Sequence, residues 1–407
     1  MSTATTTSSD ASAAPALRSP LVSWLAVISV MMGIFVIVTT EILPIGLLTS
    51  IGSSFAVSDG MAGLMMTMPG FLAAVSAPVV AVATARIDRR VMLAAFILLL
   101  ALANFLAAAA SGYWMILVSR VMVGITIGGF WSIGAGLAGR LVPAERVGRA
   151  TSVIFSAVPL GSVLGVPLGT FIGDVAGWRT TFLVMGVFTI AVLVMLLLVV
   201  PALPAVRATR LNVLSVMFRG INTRFALVLT FLIVLAHFGT YTYVTPFLEQ
   251  VTHVSSGLIT VYLLVYGVAG IVGNFLGGAA VTRYPRATFA AAAAMIACVT
   301  LLLPVLGRWD LGAVALLVVW GIAYGAAVPV CSQTWFARAS PASPEASSVV
   351  FTASFQATLS LGALTGGVVI DHSSPSAVMT LGGCAAVLVM VVAWFHHARR
   401  IEFPESP

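Results

Sequence analysis

Long apolar runs separated by short polar connections dominate this chain. A membrane-spanning helix needs about 20 mostly apolar residues. Twelve runs meet that length, at roughly 22–48, 61–83, 91–110, 113–138, 150–173, 180–200, 225–248, 256–281, 287–306, 310–336, 346–370 and 376–397. The third and fourth runs are separated only by Ser111, Gly112 and small residues, so that junction is the weakest boundary. The pattern predicts an all-α membrane protein of 12 transmembrane helices. Its longest polar connection, residues 201–224, divides it into two six-helix halves, 22–200 and 225–397. Residues 1–21 and 398–407 are expected to be tails, the first rich in Ser, Thr and Ala and disordered. The apolar run after it is longer than a signal-peptide core and lacks a clean cleavage site, so it is read as a retained span.

Arginine placement tests the count of twelve. With the connections assigned alternately to two sides, 16 arginines fall on the side of both termini and 2, Arg179 and Arg308, on the other. One more, Arg120, falls inside the fourth span. The positive-inside rule then puts both termini in the cytoplasm. The halves also repeat. An offset of 197 pairs Arg86 with Arg283, Arg89 with Arg286, Gly165 with Gly362, Gly169 with Gly366 and Asp174 with Asp371.

Composition agrees with a lipid environment. Charged residues make up 8% of the chain, hydrophobic residues 60%, and the mean hydropathy is +1.12. The net charge of +7 comes from scattered arginines, which argues against a nucleic-acid partner. Cys298, Cys331 and Cys384 lie in or beside apolar runs, without the spacing of a metal site or a disulfide framework. The chain contains no lysine, which excludes a Walker-type ATP site, and neither GxSxG nor HExxH occurs. No enzyme activity, metal or cofactor is expected.

One acid stands out. Glu41 is the only acidic residue in VISVMMGIFVIVTTEILPIGLLTS, residues 27–50, and Pro44 follows three positions later. An ionisable group at membrane depth costs ~2.5–3.5 kcal/mol on insertion scales and marks a functional candidate once a partner is named. Counting helix rise from the outer ends of spans one and four places Glu41 and Arg120 at matching depth, about 10 Å in. They are expected to be partners, either as a proton-coupling pair or as a structural salt bridge. His237 falls near mid-membrane in VLAHFGTYTYVTPF, followed by Tyr241, Tyr243 and Pro246. It suits a ligand donor, a titrating group or an interhelical hydrogen bond. Gln356 lies at mid-depth in span eleven and Asn274 nearer the cytoplasm in span eight. Phe130 and Trp131 are candidates either for stacking on a solute ring or for core packing.

Three stretches resemble the major facilitator superfamily. ARIDRRVML, residues 85–93, is similar to its basic loop between spans two and three, with Arg86, Asp88, Arg89 and Arg90; Ala81 and Ala85 replace the usual Gly and Asp. LVSRVMVGITIGGFWS, residues 117–132, resembles the span-four motif with its intramembrane Arg. GSVLGVPLGTFIGDVAGWRTTF, residues 161–182, is similar to the span-five motif of proton-linked exporters, with Gly161, Gly165, Pro167, Gly169 and Gly173. Within the exporter branch (drug:proton antiporter-1-like) the nearest resemblance is to bacterial purine ribonucleoside efflux proteins, then to sugar (arabinose) and chloramphenicol-type exporters. The resemblance implies alternating access in the bacterial cytoplasmic (inner) membrane. It also implies a small-molecule substrate, protons as the driving ion, spans one and four packed in one half, and a monomer.

Overall fold

A computed structural model describes residues 19–83, 87–134, 137–204, 221–326 and 344–398. Among these residues the fold is helical, without strands. The first half comprises α1 (Pro20–Phe55), α2 (Asp59–Ala83), α3 (Arg89–Ala108), α4 (Tyr113–Gly134), the short α5 (Ala138–Leu141), α6 (Val147–Phe155), α7 (Ala157–Ala176) and α8 (Trp178–Val199). The second comprises α9 (Ile221–Tyr241), α10 (Val244–Gln250), α11 (Ser256–Arg283), α12 (Pro285–Leu306), α13 (Asp310–Gly325), α14 (Pro344–His372) and α15 (Pro375–Ala398). Among the described residues eleven segments are long and apolar enough to cross a membrane, and α13 is a shorter apolar helix. The protein is a multi-pass membrane protein, its eleven spans and one shorter helix fitting the expected twelve-helix fold. Both described chain ends therefore lie at one end of the bundle, here the near end.

Several boundaries differ from the sequence expectation. α1 runs to Phe55 instead of stopping near 48, and it ends where Ala56 turns left-handed at φ 51°. Span five is two helices, α6 and α7, joined at Ser156. Span seven breaks between Tyr241 and Val244. Pro246 explains that break, because its ring excludes the carbonyl four residues earlier, Thr242, from a regular helix. Gly177 between α7 and α8 has φ +83°, a conformation that side chains resist. The last four residues of the expected linker already belong to α9.

Each half centres on its own apolar core, one with Phe96, Phe130 and Phe182 and the other with Phe247 and Trp320. Each core takes in residues of the opposite half: Tyr243, Ile370 and Val378 in the first, Ile45, Met66 and Val166 in the second. The halves meet where α2 packs on α14, α7 on α11 and α1 on α10. Among the described residues, hydrogen bonds between halves lie from the mid-plane outward to the far end. They include Thr49 to Glu249 at 3.0 Å, Thr245 to the Ile45 carbonyl at 2.9 Å and Gln250 to Asp59 at 2.9 Å. Gly63 lets this face close, since a Cβ there would lie 2.0 Å from the Tyr243 hydroxyl oxygen.

Candidate functional site

The site begins at a defect in α1. Pro44 lies inside that helix and has no N–H, so the carbonyl four residues back, Thr40, loses its helical donor. Arg120 of α4 supplies a replacement, its Nη1 donating to the Thr40 carbonyl at 2.9 Å. The Thr40 hydroxyl accepts from Asn104 Nδ2 of α3 at 3.2 Å. Thr40 thus ties three helices together, and the adjacent residue is Glu41.

Glu41 faces the other half. It is 7% exposed, and its Oε1 accepts a hydrogen bond from Gln356 Nε2 of α14 at 2.8 Å. The expected direct pair with Arg120 is not formed: no ion pair joins the two within 4.0 Å. The proline-freed carbonyl holds the guanidinium instead, and Phe182 lies under it, 5.2 Å from the ring centroid. Arg120 Nη2 is buried without a hydrogen-bond partner, and the charge of Glu41 still reaches this group. The depth count also needs correction. With α1 extending to Phe55, Glu41 lies about 21 Å from that helix end, not 10 Å; matching depth arises because the end of α1 overshoots α4.

Beyond Gln356, the second half presents a ladder of aromatic rings. His237 stacks on Tyr324 at 3.9 Å and on Tyr241 at 5.2 Å, and Tyr241 stacks on Tyr266 at 4.6 Å. Trp320 meets His237, Tyr241 and Tyr266 edge-on at 5.7, 5.8 and 5.9 Å. Offset and edge contacts of this kind are favourable arrangements for ring quadrupoles. The ladder is nearly dry: His237 and Trp320 are both 0% exposed, while Tyr324 is half-buried and within electrostatic reach of Glu41. Several polar atoms here lack partners, namely His237 Nδ1, Trp320 Nε1 and Gln356 Oε1. The Tyr266 hydroxyl lies 3.5 Å from His237 Nε2.

The structure therefore brings together Glu41, Gln356, His237 and Tyr241 from the sequence candidates. It adds Tyr266, Trp320 and Tyr324, which an inspection for charged and amide residues passes over. Their signal was present: a Trp and a Tyr four positions apart share a helix face, and each carries a polar tip at membrane depth. Phe130 does not join the site. It is fully buried, and a Cβ on Gly33 of α1 would lie 3.2 Å from its ring, so it is core packing. Trp131 is half-buried against Phe155, 6.0 Å away, about 16 Å along α4 from Arg120.

The glycine stripe has a definite partner. Cβ atoms on Gly161, Gly165 and Gly169 would meet Val38, Thr39 and Leu43 at 3.0, 3.1 and 2.2 Å. These glycines let α7 press against the part of α1 that carries Thr40 and Glu41. Pro167 lies within α7, one turn from Val163, whose backbone is where a Cβ on Gly267 of α11 would meet the first half. In the basic loop, Asp88 caps α3 by accepting from the Arg90 backbone N–H at 2.8 Å. Arg89 N–H donates to the Leu203 carbonyl at 2.8 Å, and Arg90 donates to the Leu197 carbonyl. Arg86 and Cys331 lie outside the described residues.

The sequence model of the Major Facilitator Superfamily matches residues 23–354. The chain belongs to that superfamily. It is 32% identical over 373 residues to "Transcription regulatory protein OpdE" of Pseudomonas aeruginosa, covering 90% of this chain and 92% of that protein. Its fold is similar to a bacterial homologue of the human lysosomal transporter Spinster, solved inward-facing and occupied, with TM-score 0.76 and 16% identity, covering 96% of this chain and 100% of the other. A D-xylose–proton symporter gives TM-score 0.71 and 17% identity, covering 92% and 98%. These place the chain in a family of membrane transporters that work by alternating access.

Proposed function

We propose that this superfamily member is a proton-driven exporter of a small solute, with Glu41 as the proton carrier. The observation that carries the reading is the Glu41–Gln356 hydrogen bond. It joins the halves at mid-membrane, and its acid is held by a neutral amide rather than a cation. Burial favours a proton on Glu41, and the neutral acid can donate to the unpaired Gln356 Oε1 while still accepting from the Gln356 amide. Loss of the proton leaves a carboxylate within the field of Arg120, whose unpartnered Nη2 can donate to it. Protonation then decides whether Glu41 holds the two halves together or turns back into its own half. Arg120 remains charged throughout. A proton moving down the membrane potential supplies ~2.3 kcal/mol per 100 mV, enough to drive a neutral solute outward.

The arginine distribution supports a near end that faces the cytoplasm, and the halves are hydrogen-bonded at the far end. The solute would enter from the cytoplasm and meet the Tyr324 side of the aromatic ladder. Ring faces beside unpaired His237, Trp320 and Gln356 atoms suit a planar, hydrogen-bonding solute. Purine ribonucleosides are the first class to test, against sugars and amphipathic antibiotics. In proteoliposomes with an imposed pH gradient, Glu41→Gln should abolish gradient-driven flux while solute binding persists. Undiminished flux in that variant would sink the assignment. A second reading, a membrane sensor without coupled transport, is favoured by the name of the Pseudomonas relative. It predicts solute binding without flux in the unaltered protein.

A further inference from the structure

The 197-residue repeat continues into the far-end gate, where the two copies differ in state. In the first half, Ser58-Asp59-Gly60 opens α2. Asp371, from the far end of α14 in the other half, sits on that helix start. Its Oδ1 accepts from the Gly60 backbone N–H at 2.8 Å and its Oδ2 from the Ser58 hydroxyl at 2.8 Å. A carboxylate there meets unsatisfied N–H groups and the positive end of the helix dipole. Gly60 makes the approach possible, because a Cβ would lie 2.4 Å from Asp371 Oδ2 and 2.3 Å from the Gly367 carbonyl oxygen.

The same offset maps Ser58 to Ser255, Gly60 to Gly257 and Asp371 to Asp174. Ser255 and Gly257 stand at the start of α11, and Asp174 at the far end of α7, again in the opposite half. This second set is disengaged. Ser255 makes no side-chain cap bond, and a Cβ on Gly257 would meet nothing within 4 Å. Asp174 is exposed and shares with Ser256, Glu249 and Ser50 a small cleft between the halves. Farther in, α7 and α11 already touch, through Val163 and Gly267.

We propose that the far-end gate closes through two pseudo-symmetric aspartate latches, Asp371 on α2 and Asp174 on α11, and that this structure holds the first shut and the second open. Full closure adds Asp174 to the backbone N–H of Gly257 as the far ends of α7 and α11 come together. The inference rests on alternating access and not on the role of Glu41.

The test measures the far-end separation of α7 and α11 in the full-length protein in lipid nanodiscs. Spin labels at Val175→Cys and Leu258→Cys, 74% and 47% exposed, report the distance by double electron–electron resonance after the native cysteines are replaced by alanine. Two distance populations are expected. Gly257→Ala should lose the shorter one, because the added methyl is free in the open latch and obstructs the closed one. Asp174→Asn should lose it as well. A single long distance in the parent protein, or two populations unchanged by Gly257→Ala, would overturn the proposal. No proton gradient is needed, so the outcome is independent of whether Glu41 carries protons.

Discussion

If Arg120 serves as the substitute donor for a carbonyl that Pro44 strips of its helical partner, the two residues must be energetically coupled. The perturbation is a double-mutant cycle of Pro44→Ala and Arg120→Met. With proline present, Arg120→Met leaves the buried Thr40 carbonyl unsatisfied, at a cost of about 1–3 kcal/mol. It also removes the contact with Phe182, which at 5.2 Å in a dry setting is worth about 2 kcal/mol. Against these losses stands relief from burying a guanidinium whose Nη2 has no partner. The single variant alone therefore decides little. With alanine at position 44, the backbone N–H returns and satisfies Thr40 without Arg120. The helix-propensity gain and the Phe182 loss cancel around the cycle, leaving a coupling of about 1–3 kcal/mol. Unfolding of the four proteins in mixed micelles, followed by tryptophan fluorescence, measures it. Additivity within ~0.5 kcal/mol would refute the reasoning, since independent sites add that closely.

Two further outcomes follow from the packing. Gly63→Ala puts a methyl group 2.0 Å from the Tyr243 hydroxyl oxygen, which is anchored to the Ala363 carbonyl at 2.7 Å. Overpacking and strain on that bond should cost about 1–3 kcal/mol, seen as a lower melting temperature in detergent; an unchanged value would show that the interface yields freely. Trp320→Phe removes a buried N–H without a partner, which offsets part of the cost of the void it leaves, so stability should change by less than ~2 kcal/mol while solute affinity falls in an equilibrium binding assay. Lower stability with unchanged affinity would assign Trp320 to core packing alone.

Much of the fold was legible because lipid allows few alternatives. A span must satisfy its backbone internally, so apolar length alone identifies it, and arginine asymmetry checks the count. Glu41 was legible for the same reason: an acid in an apolar run is costly enough to announce itself. The helix breaks were legible only in part. Pro246 was visible, but the joint at Ser156 and the extension of α1 to Phe55 depend on neighbours that propensity does not see.

The identity of partners was decided by the tertiary structure. Depth arithmetic joined Glu41 to Arg120, yet depth says nothing of which way a side chain turns around its helix. Arg120 was captured by the Thr40 carbonyl, a main-chain group that every sequence contains and that becomes distinctive only when Pro44 frees it. Glu41 was left to Gln356, 315 residues away in the other half. The aromatic ladder of His237, Tyr241, Tyr266, Trp320 and Tyr324 required three separate spans to converge. The sequence alone determined what must lie in the membrane and which residues are expensive there, because burial cost belongs to each residue type. Only the packed structure decided how that cost is met, because the compensating groups are backbone carbonyls, amides and ring faces supplied by other helices.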